Sequence, residues 1–238
     1  MKTILFDLDG TLLPMNEDDF VNGYFGKLYK FMAPYGYEKD SFIDAVWYGT
    51  KAMRLNDGKR ICEDVYWDAF ISKFEGKDKN FAHQKFNEFY ATVFNETKQY
   101  CFEPYRKIDE VIKACREYAD KLIVVANPVF PLIAMQERIV FAGIDPSIFD
   151  FITSYETSHF AKPNKMFIKE IMDRFNLDTK DVIYFGNSEK EDGRVAKELD
   201  IEFYLTGNVV KEENSLDGYK EIEFESIPVL LQQKLAKN

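Results

Sequence analysis

The sequence is poor in the residues on which several chemistries rest. Of its 238 residues only three are cysteine and two are histidine. Cys62, Cys101 and Cys115 have no Cys-x-x-Cys spacing, and His83 and His159 stand far apart with no ligand spacing. A zinc site is therefore not expected, and the unpatterned thiols suggest a reducing compartment. Long apolar runs are missing too, so no segment approaches the length of a membrane span. A first strand is expected from residue 2, which leaves no room for a signal peptide; the expected location is cytoplasmic. Basic residues are outnumbered, 31 Lys and Arg against 41 Asp and Glu, for a formal net charge of −10. That balance argues against nucleic acid and membrane surfaces as partners, since both attract basic faces. It still allows a local positive pocket for one phosphate. Glycine and proline, 12 and 8 residues, build no linker and no low-complexity tract. Aromatics, by contrast, are abundant: 22 Phe and 14 Tyr, with much of this content in the first half of the chain.

The most informative segment is Phe6-Asp7-Leu8-Asp9-Gly10-Thr11. It follows Thr3-Ile4-Leu5, an apolar run that predicts a buried strand. Two carboxylates one residue apart project from the end of that strand, and Gly10 lets the chain turn away at once. In an open α/β sheet, ligands bind at such strand ends. One carboxylate can attack while its neighbour handles a proton. Acidic and hydroxyl side chains around a glycine turn also suit a hard cation. The plainer reading, Asp as an ordinary turn former, is weakened by the partners that follow later in the chain.

From about Asn16 to Cys101 the spacing is helical. Phe20, Tyr24, Leu28 and Phe31 fall on one helix face; Phe42 and Val46 begin another helix, and Val65, Phe70 and Phe74 a third. Gly36, Gly58 and Gly76 mark breaks. After Glu103-Pro104, helices alternate with short apolar strands: a helix from Ile108 to Tyr118, then strands at 122–125, 151–153, 182–185 and 201–205. Helices are expected at 134–141, 165–175, 190–199 and 228–235. Such alternation implies a parallel sheet covered on both faces. The strand that carries Asp7 must join it, so the helical segment interrupts the sheet domain.

This order resembles the haloacid dehalogenase superfamily. Asp7-x-Asp9-Gly10-Thr11 after an apolar strand is similar to its first motif, and an insert just behind it is similar to its helical-cap layout. The resemblance implies a doubly wound, Rossmann-like α/β core from residues 1–15 and 103–238, with an all-helical cap domain from residues 16–102. The family's second motif places Ser or Thr at the end of the second core strand. Here Ala126 stands there, so that hydroxyl is missing, and Asn127 with its two amide donors follows. Asn127-Pro128-Val129-Phe130-Pro131 also resembles the Asn-Pro-x-Phe-Pro signature of a bacterial subgroup. Lys162-Pro163 ahead of a helix resembles the third motif, whose cation offsets a carboxylate nucleophile facing a dianionic phosphate. The fourth motif normally reads Gly-Asp. Here it is Gly186-Asn187-Ser188, with Glu191 and Asp192 beyond; Asn187 can still ligate a metal but carries no charge.

The activity implied by the resemblance is Mg²⁺-dependent hydrolysis of a small phosphomonoester through an aspartyl-phosphate. Asp7 attacks phosphorus, Asp9 serves the leaving alcohol and then water, and Lys162 screens charge. Gly10, Thr11 and Asn127 contact substrate, and Asp7, Asp9, Asn187 and Asp192 hold Mg²⁺. The second acid favours a phosphatase over a dehalogenase, where it is usually absent. Ala126 and Asn187 keep an alternative open: a catalytically weakened or non-catalytic binding relative. The expected partner is a small phosphorylated metabolite, and the expected assembly a monomer or weak homodimer. Lys51, Arg54, Lys59 and Arg60 read as a solvated helix face, and His83 as solvent-facing.

Overall fold

The computed structural model describes residues 2–213 and 218–235. Among these, six strands form one sheet: β1 (Thr3–Phe6), β2 (Lys121–Val124), β3 (Phe151–Ile152), β4 (Val182–Ser188), β5 (Glu202–Val210) and β6 (Lys220–Glu221). All neighbours are parallel, in the order β3-β2-β1-β4-β5-β6. β1 is central, with Thr3 in register with Lys121 on one side and Val182 on the other. All four of its side chains are buried, as its uninterrupted apolar run requires in a sheet covered on both faces. The chain leaves β1 toward β2 and β3 on one side and returns to β4, β5 and β6 on the other. The crevice at the carboxyl ends of β1 and β4 is thus the switch point where open α/β sheets bind ligands.

Between β1 and β2 come α1 (Glu17–Met32), α2 (Lys39–Arg54), α3 (Cys62–Ile71) and α4 (Lys79–Thr92), then a 3₁₀ segment over Phe94–Tyr100. Asn16 starts α1 by accepting the Asp19 amide at 3.0 Å, and three acids in the first turn suit its positive end. Its buried stripe is Phe20, Tyr24, Leu28 and Met32. Met32 takes the innermost place expected for Phe31, which instead packs half-buried against Tyr35 and Phe89. Phe42, Trp67, Phe70 and Phe86 interlock edge-on between α2, α3 and α4. The two chain crossings into this helical insertion lie side by side: Met15 bridges Cys101, and the Phe102 amide donates to the Pro14 carbonyl at 2.9 Å.

α5 (Ile108–Tyr118) then leads into β2, and after β2 the helices are α6 (Leu132–Phe141), α7 (Lys165–Phe175), α8 (Arg194–Glu198) and α9 (Ile227–Leu235). Ile4 and Phe6 join the apolar layer under α5, α6 and α9, whereas Leu5 joins the layer under α7 and α8. This is the doubly wound α/β class expected from the sequence.

Besides a short β6 that was not expected and a β4 that runs on to Ser188, two elements differ from the expected ones. The helix expected over 190–199 begins instead with a π-helical turn, Glu189–Gly193, before α8. The wider turn brings the Asp192 carboxylate back against Gly186 and the Ser188 amide. β5 runs five residues beyond the expected Leu205, because Asn208 is tied into the loop after β1. Its amide donates to the Gly10 carbonyl at 2.7 Å, and its side-chain oxygen accepts the Met15 amide at 3.0 Å.

Candidate active site

Asp7 and Asp9 stand at the end of β1, and the loop that follows is built to hold them. Gly10 has a φ of +78°, in the left-handed region that favours glycine. Any side chain there would also run into the Asn187 amide. The Gly10 and Thr11 amides donate to the Leu13 and Leu8 carbonyls. The Thr11 hydroxyl donates to Asp7 Oδ2 at 3.3 Å. Gly10 and Thr11, expected to touch substrate, therefore complete the loop, and neither lines the cleft.

Lys162, buried and preceding a cis Pro163, reaches Asp7 Oδ1 and Asp192 Oδ1, each at 2.6 Å. The lysine thus lies between two carboxylates from neighbouring strand ends. Burial pushes the Asp7 carboxyl well above the usual carboxylate range; Asp192 and Asp9 add to this and Lys162 opposes it. Burial works against the Lys162 charge, but Asp192 and Asp7 more than offset it and hold its ammonium above the ordinary lysine value. Asp192 lies behind Lys162. Its Oδ1 also accepts the Tyr184 hydroxyl, and its Oδ2 accepts the Ser188 amide at 3.1 Å. Both oxygens of this expected metal ligand are thus engaged by protein donors.

Asp9 is gripped from α6. Arg138 Nη1 donates to Asp9 Oδ2 at 2.5 Å. The guanidinium, 1 % exposed, lies 4.3 Å from the Phe130 ring centre and contacts Met135 Sδ. Asp9 Oδ1 is buried and has no partner among the described residues. Arg138 escaped the sequence reading, although a signal existed: it sits at helical spacing within the buried stripe Ala134, Arg138, Phe141. Tyr184 and Asn208 escaped it as well.

Of the second-motif pair, Asn127 faces the cleft while Ala126 is wholly buried, its carbonyl accepting the Thr153 hydroxyl at 2.7 Å. Asn127 Nδ2 donates to Glu191 Oε2 at 3.3 Å, and Glu191 Oε1 pairs with Arg54 at 2.6 Å. Arg54, on an exposed face as expected, also links α2 across the cleft mouth. Arg60 does lie on the outside, on Asp68 at 2.7 Å. His83 is not simply solvent-facing: it sits edge-on to Trp67 and 3.2 Å from Glu63. Glu17, the first residue of α1, enters the mouth. Its carboxyl is pushed up to about 7 by desolvation in the cleft first, then by Asp9, Glu191 and Asp192, although solvent still reaches much of the side chain.

Asn187 lines the cleft beside Asp7, with Nδ2 donating to the Asn208 carbonyl at 3.0 Å. The Asp7 and Asn187 side chains and the Asp9 main-chain carbonyl thus offer oxygen donors only. Oxygen donors of this kind fit Mg²⁺ and not a soft metal. Among the described residues no helix is long and apolar enough to cross a membrane.

A model of the haloacid dehalogenase-like hydrolase family matches residues 4–206. No curated protein matches the chain. Among solved structures, it is similar to 2-haloacid dehalogenase from Pseudomonas syringae pv. Tomato DC3000 at 15% identity, covering 98% of this chain and 99% of that one, with a TM-score of 0.66. It is similar to the HAD phosphatase from Thermococcus onnurineus at 15% identity, covering 97% and 98%, with a TM-score of 0.59. It is also similar to the HAD-hydrolase YfnB from Bacillus subtilis, a structure bound to magnesium, at 17% identity, covering 97% and 98%, with a TM-score of 0.57. At such identities these likenesses speak to the fold.

Proposed function

Since the chain belongs to the haloacid dehalogenase-like hydrolases, we propose that it is a phosphatase that hydrolyses a small phosphomonoester, with Asp7 as nucleophile. The observation that carries this reading is the pair of carboxylates at the end of β1, each held by its own buried cation: Asp7 by Lys162 and Asp9 by Arg138. A nucleophile alone would serve displacement at carbon. A second carboxylate, fixed two residues away with one oxygen unpartnered, serves a reaction that must also move protons.

In this mechanism Asp7 Oδ2, held among the described residues only by the Thr11 hydroxyl, attacks phosphorus and the ester P–O bond breaks. The Asp9 oxygen without a partner delivers a proton to the departing alcohol. The same oxygen then takes a proton from water, whose oxygen attacks the aspartyl-phosphate; inorganic phosphate leaves and Asp7 is restored. Lys162 keeps Asp7 oriented and offsets the charge brought by the phosphate. Asp192, Tyr184 and the Ser188 amide keep Lys162 in place. Asp7, the Asp9 main-chain carbonyl and Asn187 would hold Mg²⁺, which would further neutralise the phosphoryl oxygens. The α1–α4 insertion acts as the cap domain that covers the cleft and limits water.

Ala126 and Asn187 favour a second reading, a weakened or non-catalytic relative. One experiment separates the two. Phosphate release from a panel of small phosphomonoesters is measured in Mg²⁺ and in EDTA. Turnover that requires Mg²⁺ and Asp7 supports the phosphatase. Absence of turnover across the panel, with Mg²⁺ and beryllium fluoride also failing to bind, supports the second reading.

A further inference from the structure

Beside the catalytic cleft, within the cap, lies an aromatic cavity. This inner cavity has a volume of about 80 Å³, about the bulk of one aromatic ring and well under the roughly 300–1,000 Å³ of a complete small-molecule site, so it is a side pocket of the cleft. Val21, Trp47, Thr50, Val129 and Phe130 line both the cleft that holds Asp7 and Lys162 and this inner cavity. They form a shared wall between a charged end and an apolar end. Beyond them the cavity is walled by Tyr24, Tyr66, Trp67, Phe86 and Tyr90. Most polar groups on that wall are already engaged: the Tyr24 and Tyr90 hydroxyls bond each other at 2.7 Å, and the Thr50 hydroxyl is turned onto the Val46 carbonyl at 3.0 Å; the Trp67 Nε1 donor is buried with no partner among the described residues. Such a space disfavours a polyol or a second charged group, most of whose polar atoms would be left without partners. It favours a ring, which aromatic faces and edges meet well.

We infer that the substrate is a phosphomonoester whose alcohol carries an apolar, ring-bearing group, with the phosphate at Asp7 and Lys162 and the ring among Tyr66, Trp67 and Phe86. This deepens the phosphatase reading and, as far as turnover is concerned, rests on it. The occupancy of the cavity does not. Both tryptophans of the chain, Trp47 and Trp67, line this cavity, so their emission reports directly on what enters it.

The test compares 2-phenylethyl phosphate with ethyl phosphate on the full-length protein in Mg²⁺. The two leaving alcohols are alike in acidity, so a difference between them belongs to the ring. Phosphate release and tryptophan emission are both measured. Burial of one phenyl ring predicts a kcat/KM at least about tenfold higher for the phenylethyl ester, with a saturable change in emission that ethyl phosphate does not produce. Val46→Phe, which builds into the cavity, is expected to cut the ratio of the two kcat/KM values by about tenfold. It should weaken the emission-read affinity for the phenylethyl ester by a similar factor. The wild-type comparison stands whether or not that variant folds. Equal kcat/KM for the two esters, with no emission change, overturns the inference. A saturable emission change without turnover of either ester upholds the cavity as the ring site and overturns the phosphatase reading alone. Neither turnover nor an emission change overturns both.

Discussion

Arg138 and Asp9, 129 residues apart in sequence, form the pair that fixes the second carboxylate: Nη1 to Oδ2 at 2.5 Å, with the arginine 1 % exposed. The other Asp9 oxygen, Oδ1, is buried and has no partner among the described residues. Arg138 touches no reacting atom in this arrangement and is a positioning residue. Arg138→Met keeps a long apolar stem beside Phe130 and Met135 but releases Asp9. A misplaced proton donor predicts a loss in kcat of roughly 10- to 100-fold, with a smaller change in KM. Breaking a buried pair costs most when the orphaned charge stays buried. Asp9 is partly open, so a destabilisation of about 1–3 kcal/mol is expected. Steady-state kinetics of Arg138→Met, Asp9→Asn and the double variant decide the matter. Fully additive losses would show that Arg138 does not act through Asp9.

The Arg54–Glu191 ion pair joins α2 to the turn after β4, whereas Arg60 binds Asp68 on the outside of the helical insertion. Both pairs are partly exposed, so removing either arginine is expected to cost less than about 1 kcal/mol. Their functional effects should differ. Arg54→Ala frees Glu191 at the cleft mouth and should change the relative kcat/KM of different phosphoesters by at least about threefold. Arg60→Ala should change none of these ratios. Identical substrate profiles for wild type and Arg54→Ala would remove Arg54 from substrate choice.

The parts of the site legible in the sequence were those whose meaning is local. Asp7 and Asp9 follow an apolar run and precede a glycine, so strand, turn and paired carboxylates can be read within nine residues. Lys162 is legible because a proline and a helix follow it. The helical insertion showed in the four-residue spacing of its aromatics. What stayed hidden depends on long-range contact. Nothing near Asn208 indicates that β5 continues far enough to brace Gly10 and Met15. Nothing near Tyr184, an apolar strand residue to the eye, indicates that its hydroxyl meets Asp192. The cap aromatics read as ordinary core, and most are. Only the three-dimensional arrangement shows that some of them enclose a space whose wall is shared with the cleft that holds the carboxylates.

Asn187 replaces the acid expected in the fourth motif, and its Nδ2 donates to the Asn208 carbonyl at 3.0 Å. Asn187→Asp adds a negative charge where Mg²⁺ is proposed to bind and removes that donor. Two opposite effects follow. Mg²⁺ should bind about tenfold more tightly by calorimetric titration. The metal-free variant should be less stable by about 1 kcal/mol, because an acceptor now faces a carbonyl oxygen. Unchanged Mg²⁺ affinity would remove position 187 from the ligand set.

Ala126 tests how far the family pattern can be restored. A Thr here would supply the hydroxyl of the second motif, yet Ala126 is fully buried beside Val124 in the apolar layer, and Asn127 is the residue that lines the cleft. Ala126→Thr is therefore expected to destabilise by about 1–3 kcal/mol through overpacking, with no gain in turnover. A rise in kcat of tenfold or more would mean that the strand end shifts to present the new hydroxyl to phosphate.

The nucleophile is where the mechanism is most exposed to test. Asp7 shares Lys162 with Asp192, so the lysine keeps one carboxylate partner when Asp7 is neutralised. Asn matches Asp in shape, can still accept through its carbonyl oxygen, and removes a negative charge from a desolvated site. Asp7→Asn should therefore fold normally, with a thermal midpoint in EDTA no lower than that of the wild type. It cannot form the acyl phosphate, because its amide is not a competent nucleophile, so turnover should fall to background. Asp9→Asn should behave differently: Asp7 remains, and both formation and hydrolysis of the aspartyl-phosphate slow. Beryllium fluoride, which mimics the phosphoryl group, should attach to wild-type protein in Mg²⁺ and not to Asp7→Asn. Wild-type turnover in purified Asp7→Asn would end the proposed mechanism. Loss of turnover together with collapse of the thermal midpoint would show that Asp7 holds the fold, and the nucleophile would then have to be identified by trapping the phosphoenzyme and locating the phosphate.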